Sequence, residues 1–344
     1  MTAPARRPLG ATTVDIAVPR LGFLGTGWIG RHRLRAIAAS GIGLVHAVAE
    51  PAEAAAREAC DGLTPAPIVT GSLDELLELE LDGIVIATPS ALHAEQAIAA
   101  LEQGMAVFCQ KPLARTAAET RRVIDAARAA DRLLAVDLSY RFTAGMMAVR
   151  ELVSRGELGE VFAVDVVFHN AYGPDKSWFR DMALSGGGCV IDLGIHLVDL
   201  ALWTLDYPRL RSATSRLFAG GRPLRATGRD VEDYAVARLD LESGASVQLS
   251  CSWNLPAGQD AVIGATFYGT RGGASFHNVG GSFYDFTADR FTGTKRESLV
   301  TPPDDWGGRA AVDWVRRLAA GARFDPAAAR LVDLAAAIDR IYGR

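Results

Sequence analysis

Arg20-Leu21-Gly22-Phe23-Leu24-Gly25-Thr26-Gly27-Trp28-Ile29-Gly30 is the stretch from which the fold is read. A short apolar run ends in G-x-G-x-x-G, and Ala-rich helical texture follows as far as Ser40. The spacing predicts a strand, a tight turn and a helix. Gly25 permits the turn, Gly27 lets backbone approach a pyrophosphate, and Gly30 permits close packing of helix on strand. The N–H groups at the helix start, through Thr26, Trp28 and Ile29, then face the phosphates. Twenty residues on, Glu50 closes a second apolar run, where a carboxylate can accept hydrogen bonds from the adenosine ribose. Glu50 repels a 2′-phosphate and Pro51-Ala52 bring no basic residue to receive one, so NAD is the expected cofactor, ahead of NADP.

Outward from this turn, short apolar runs alternate with helical stretches, the signature of βαβ units and a parallel sheet. Strands are expected at Arg20–Leu24, Leu44–Ala49, Pro67–Thr70, Gly83–Ala87, Ala106–Cys109 and Leu133–Asp137. Together they complete a doubly wound Rossmann domain over residues 18–140, after a loose tail at 1–17. Beyond Arg141 the texture changes to a helix over Ala144–Arg155, a strand over Glu160–His169 and a long helix over Cys189–Thr204. Strand-like runs follow at Ser212–Phe218, Asp233–Leu239, Ser246–Trp253, Ala261–Gly269, Gly273–His277 and Ser282–Thr287, then two closing helices. Residues 141–344 therefore read as a second α/β domain with a large, mostly antiparallel open sheet. Runs such as Val247–Trp253 and Ala265–Tyr268 look apolar enough to pack against a symmetry mate, which predicts a homodimer or homotetramer through that sheet.

Composition narrows the class. The chain has 344 residues, 49% hydrophobic and 22% charged, with a net charge of −4, as expected of a globular protein of about two domains. No like-charge run offers a footprint for nucleic acid or an anionic membrane, and no apolar run reaches the roughly 20 residues of a membrane span. Cys60, Cys109, Cys189 and Cys251 are scattered without metal-ligand spacing, so no metal site is expected and a reducing cytoplasm suits them. Of 36 cationic residues only Lys111, Lys176 and Lys295 are lysines. Where arginine is the habit, a surviving lysine marks a task that a guanidinium does not perform.

Lys111 directly follows the fifth strand, at the carboxyl edge where open α/β sheets bind ligands. An ammonium there can hydrogen-bond a reacting oxygen and stabilise developing alkoxide charge. Asp192 and His196 stand four residues apart, so on a helix they share a face; imidazole is suited to proton transfer near neutral pH, with the carboxylate orienting it. Three glycines, Gly186-Gly187-Gly188, precede them and read as a flexible entry.

Thr88-Pro89-Ser90, His93, Gly104 and Gln110-Lys111-Pro112, followed by Gly186-Gly187-Gly188-Cys189-Val190-Ile191-Asp192-Leu193-Gly194-Ile195-His196, resemble the glucose-fructose oxidoreductase / inositol dehydrogenase family. The resemblance runs from Leu21 to the last helix. It implies NAD(P)-dependent hydride transfer at a hydroxyl-bearing carbon of a sugar, cyclitol or related polyol. It also implies a cis Lys111-Pro112 bond, a catalytic set of Lys111, Asp192 and His196, and cofactor contacts from Thr88, Pro89, Ser90, His93, Gln110 and Lys111. The family commonly has glutamate where this chain has Gln110, so a charge partner for Lys111 is missing from that position. Arg141, Asn170, Tyr172, Lys176 and Trp178 are further candidates for substrate contact. Two other functions stay open on the same motifs: an enzyme using tightly held NAD for transient oxidation in hydrolysis, epimerisation or elimination, and a non-catalytic cofactor-binding regulator.

Overall fold

The computed structural model describes residues 18–224 and 230–344; the expected tail at 1–17 lies outside them. Its first elements are β1 (Arg20–Leu24), α1 (Trp28–Ser40), β2 (Leu44–Ala49), α2 (Glu53–Cys60), β3 (Ile68–Thr70), α3 (Leu73–Leu77), β4 (Gly83–Ile86), α4 (Ser90–Glu102), β5 (Ala106–Cys109), α5 (Ala117–Ala130) and β6 (Leu134–Val136). The six strands form a parallel sheet in the order β3-β2-β1-β4-β5-β6. The order reverses between β1 and β4, and the crevice that this opens at the carboxyl ends of the strands is where such sheets bind ligands.

The chain continues through α6 (Ala144–Ser154), β7 (Val161–Asn170), α7 (Met182–Ser185), a π-helical turn (Val190–Gly194) and α8 (Ile195–Thr204). Next come β8 (Leu210–Ala219), β9 (Arg222–Pro223), β10 (Tyr234–Leu241), β11 (Ser246–Ser252), β12 (Ala261–Gly269), β13 (Gly273–Asn278), β14 (Phe286–Thr292) and β15 (Lys295–Val300), then α9 (Arg309–Ala319) and α10 (Arg330–Tyr342). Nine strands lie in the order β15-β14-β13-β12-β7-β11-β10-β8-β9, antiparallel except for the β7–β11 pair. Both sheets match the expected α/β architecture.

Two expectations are corrected. The strand placed at Ser282–Thr287 begins only at Phe286, because the Ser282 hydroxyl accepts from the backbone N–H groups of Tyr284 and Asp285 and closes a turn. Lys295, exposed just after the Gly293-Thr294 turn, opens β15; its charged Lys-Arg-Glu sequence suits an edge strand, where charge discourages further pairing. The apolar residues of Val247–Trp253 and Ala265–Tyr268 do not face outward. Val247, Leu249, Cys251, Trp253, Ala265 and Phe267 point into the core, while Gln248, Ser250, Thr266 and Tyr268 line the open face. Strand alternation imposes this: one side of the sheet packs on helices, so every second residue must be apolar and the other set is left mixed.

One closing helix returns to the first sheet. Trp314 of α9 is buried against Phe108 of β5, ring centroids 5.7 Å apart, and a Cβ on Gly83 would lie 2.8 Å from the Trp314 ring. The helical stretch Met182–Thr204, the one among the described residues long and apolar enough to cross a bilayer, is mostly buried against the nine-stranded sheet.

Candidate active site

A cleft of about 830 Å³ runs along the carboxyl edge of the parallel sheet and under the start of α8. At one end lies the β1–α1 turn. Gly25 has φ +86°, and a Cβ there would stand 2.8 Å from the Ala87 carbonyl oxygen; one on Gly30 would stand 2.3 Å from the Gly25 carbonyl oxygen. Gly27, by contrast, borders open space, and α1 starts with no side-chain cap and no acidic residue in its first turn. The N–H groups of that turn are thus open to an anion. Glu50 faces the same end, its carboxylate accepting from Thr26 N–H (3.0 Å), Thr26 Oγ1 (3.0 Å) and Ala52 N–H (3.2 Å). A dinucleotide fits these residues: glycines placed for the phosphates, an oriented carboxylate for the ribose, and no free guanidinium on the cleft wall. Arg33 is the wall's one arginine among the described residues, and it is bound to Asp137.

Thr88, Pro89, Ser90, Gln110 and Lys111 line the middle of the cleft. Thr88 donates to Gln96 at 2.5 Å. His93 is a staple: its ring nitrogens lie 2.7 Å from the Pro112 and Thr88 carbonyl oxygens, tying the loop after β4 to the loop after β5. Burial drives its pKa below the usual histidine value. The Lys111–Pro112 bond is cis, as the resemblance implies.

Beneath Lys111 sits a polar cluster that the sequence did not announce. Arg33 Nε donates to Asp137 Oδ2 at 2.5 Å, and the Gln110 amide donates to the same oxygen. All three side chains are buried, and Asp137 Oδ1 has no partner. Gln110 thus donates to a carboxylate one strand over, and the charge partner of Lys111 is Asp192 rather than the side chain at 110. The sequence signal of Asp137, an acid closing the sixth predicted strand, is too common to read alone.

Lys111 Nζ donates to Asp192 at both its carbonyl oxygen and Oδ1, each at 2.6 Å. Trp253, on the loop after β11, donates from Nε1 to Asp192 Oδ2 at 3.0 Å. Asp192 rides the π-helical turn, a widening of the helix often found at functional sites. The glycines before it are buried and packed: a Cβ on Gly187 would meet the Tyr342 hydroxyl at 2.1 Å, and one on Gly188 the Glu232 carbonyl oxygen at 1.9 Å. The expected flexible entry is thus a close-packed one. Glu232, wholly buried, accepts from the backbone N–H groups of Gly188 and Val190 and from the Tyr342 hydroxyl, fixing where the helix starts.

His196, 8% exposed, lines the cleft with Asp192, and its Nδ1 has no partner. Burial, then the positive charges of Lys111 and Arg33, hold its pKa well below the ordinary histidine value, so the ring is neutral at pH 7 and can accept a proton. Tyr140 packs edge-on against it, centroids 5.0 Å apart.

Of the other residues expected to touch substrate, Lys176 and Trp178 line the cleft. Arg141, Asn170 and Tyr172 do not. The Arg141 guanidinium is taken by buried Asp199 and by the Tyr207 hydroxyl. Asn170 accepts from Tyr172 N–H at 2.8 Å, and the Tyr172 hydroxyl donates to Asp260 at 2.7 Å, both on the outer side of the loop. Among the described residues no cluster of acids, histidines and cysteines could hold a metal.

Comparison with known proteins agrees with this geometry. Residues 19–138 match the model of an oxidoreductase family with an NAD-binding Rossmann fold, and residues 146–275 match the C-terminal domain of the same GFO/IDH/MocA group. D-glucoside 3-dehydrogenase of Escherichia coli K12 is 30% identical over 58% of this chain; the chain spans 60% of that relative's length. The structure of GenD2 from gentamicin A biosynthesis, in complex with NAD, superposes with a TM-score of 0.80 at 24% identity, covering 98% of this chain and 97% of that one. KijD10, a 3-ketoreductase from Actinomadura kijaniata in complex with NADP, gives 0.79 at 20% identity, covering 94% and 96%.

Proposed function

We propose, for a chain that belongs to the GFO/IDH/MocA oxidoreductase family, an NAD-dependent dehydrogenase acting on a secondary hydroxyl of a sugar, cyclitol or related polyol. The observation that carries this reading is the convergence of Lys111, Asp192 and His196 on one cleft, next to a glycine turn open to phosphates. The nicotinamide, when bound, supplies the acceptor or donor of hydride. Everything else falls to the chain's own side chains. Lys111, held by Asp192, directs its ammonium at the reacting oxygen and stabilises the charge that grows there as the C–H bond breaks. Neutral His196 takes the hydroxyl proton during oxidation and returns it in reduction. Asp192, fixed by Trp253, orients Lys111, and Gln110 with Asp137 carries the strand end that presents it.

Oxidation needs unprotonated His196, so the sign of its pH dependence follows directly. Because the folded pKa lies well below 6.5, kcat/KM for alcohol oxidation should hold level from pH 7 through 6.5 and decline only in more acidic solution. A pH–rate profile whose acid limb already falls at pH 7 would contradict the assignment.

Preference for NAD rests on Glu50 and on the absence of a free guanidinium along the described cleft wall. A panel of sugars and cyclitols, followed through the absorbance of reduced cofactor, should respond to NAD and far less to NADP. Glu50→Ser should shift the NAD-to-NADP ratio of kcat/KM toward NADP by about tenfold, the size of one lost charge repulsion of about 1.4 kcal/mol. Silence across the panel would overturn the dehydrogenase reading.

The face of the nine-stranded sheet turned away from the helices carries an open groove of about 1170 Å³ lined by Arg216, Arg238, Thr266 and Tyr268 among others. We take this face as the contact for a second copy in a homodimer or homotetramer. The four cysteines are free thiols, which supports residence in the reducing cytoplasm.

A further inference from the structure

Two rows of aromatic rings lead away from the catalytic groups. One begins at Trp253, bonded to Asp192, and passes through Phe179, edge-on at 6.4 Å, to Trp178, stacked on Phe179 at 3.8 Å. The other begins at Tyr140, against His196, and passes to Trp306 at 5.0 Å, whose Nε1 donates to the Tyr284 carbonyl oxygen at 2.9 Å. Both rows start on a buried ring beside a catalytic group, Trp253 at 3% and Tyr140 at 9% exposure; the first ends on half-buried Trp178, the second on buried Trp306, and Tyr284, 54% exposed, lines the same cleft.

Acids outnumber cations on the same walls: Glu50, Asp137, Asp175 and Asp192 stand against Arg33, Lys111 and Lys176. Among the described residues the cleft's lysines and arginine are each paired: Arg33 with Asp137 at 2.5 Å, Lys111 with Asp192 at 2.6 Å and Lys176 with Asp175 at 3.5 Å. Each lysine and arginine of the cleft lining thus has an acid beside it, and the excess of carboxylate disfavours a phosphate or a uronate. Nor do the aromatic rows offer a hydrogen bond to every hydroxyl of a free polyol, and a hydroxyl desolvated without a partner is costly. A planar apolar group, in contrast, gains by stacking on such rings.

We propose, building on the dehydrogenase reading above, that the substrate is an uncharged glycoside with an apolar, planar aglycone. Its sugar hydroxyl reaches Lys111, Asp192 and His196, and its aglycone lies on the accessible rings of the same cleft, Trp178 and Tyr284. Specificity is then a difference: the rings favour the aglycone, and the excess of acid on the walls rejects anionic sugars.

Calorimetric titration of the full chain, saturated with NADH so that no alcohol is turned over, tests this with phenyl β-D-glucopyranoside, methyl β-D-glucopyranoside, myo-inositol and D-glucose 6-phosphate. The phenyl glucoside should bind about tenfold more tightly than the methyl glucoside, and the other two more weakly than either. Trp178→Ala should reduce the phenyl-to-methyl ratio of Kd to near one; if that variant does not fold, Tyr284→Ala carries the same expectation. Equal binding of the two glucosides, no binding of either, tighter binding of the inositol or the phosphate, or a ratio unmoved by the variants would overturn the proposal. Phenyl preference without reduced cofactor from any glycoside would sink the dehydrogenase reading and spare the aglycone site; turnover without that preference would do the reverse.

Discussion

Lys111→Arg is expected to fold as the parent does and to lose about 10²–10³-fold in kcat, the usual size of losing one donor aimed at the reacting oxygen. Charge is retained, so a purely electrostatic attraction for substrate would survive. Geometry is what fails. The ammonium donates to two oxygens of Asp192 at 2.6 Å and keeps a third hydrogen for the cleft, whereas a planar guanidinium would engage the carboxylate two-pronged and carry its remaining donors past the oxygen. Circular dichroism and the unfolding midpoint check the fold; steady-state kinetics with the best alcohol of the panel check turnover. Full activity in this variant would remove Lys111 from the catalytic set.

Arg33→Met should be the most destabilising single change in the cleft. Asp137 is 1% exposed and has one oxygen already without a partner, so removing the guanidinium strands a buried carboxylate with only the Gln110 amide. Breaking such a pair costs about 3–5 kcal/mol. Replacing both partners, Arg33→Met with Asp137→Leu, should recover most of that loss, since no charge is then left buried. Denaturant unfolding of the parent, the single and the double variant measures the difference; a double variant as unstable as the single one would show that the charge is not the cause. The same cluster explains glutamine at 110. A glutamate there would place a second carboxylate against Asp137, and only an amide can donate to it.

Much of the molecule was legible along the chain because local rules decide it. β1, β2 and β5 begin and end where apolar period and punctuation put them, and α1 ends at Ser40 as its texture predicts. Lys111, Asp192 and His196 were legible through motif spacing. The same spacing misjudged the glycines before Asp192: a glycine serves flexibility or close approach alike, and only the neighbours, Tyr342 and the Glu232 backbone, show which. Arg141 stood near the cleft in sequence and is held elsewhere by Asp199, 58 residues on.

The sequence by itself determined the parallel sheet, its phosphate turn, the acid at Glu50 and the identities of the three groups expected to carry the chemistry. Those follow from periodicities and offsets of a few residues, within reach of a strand or a helical turn. Tertiary structure alone decided that Arg33 meets Asp137 across 104 residues, that Trp253 fixes Asp192 across 61, and that aromatic rings from separate loops line up beside His196 and Asp192. Such pairings depend on which sheet edges and helix ends the fold brings together, and side chains that meet only there carry no mark of it in the chain.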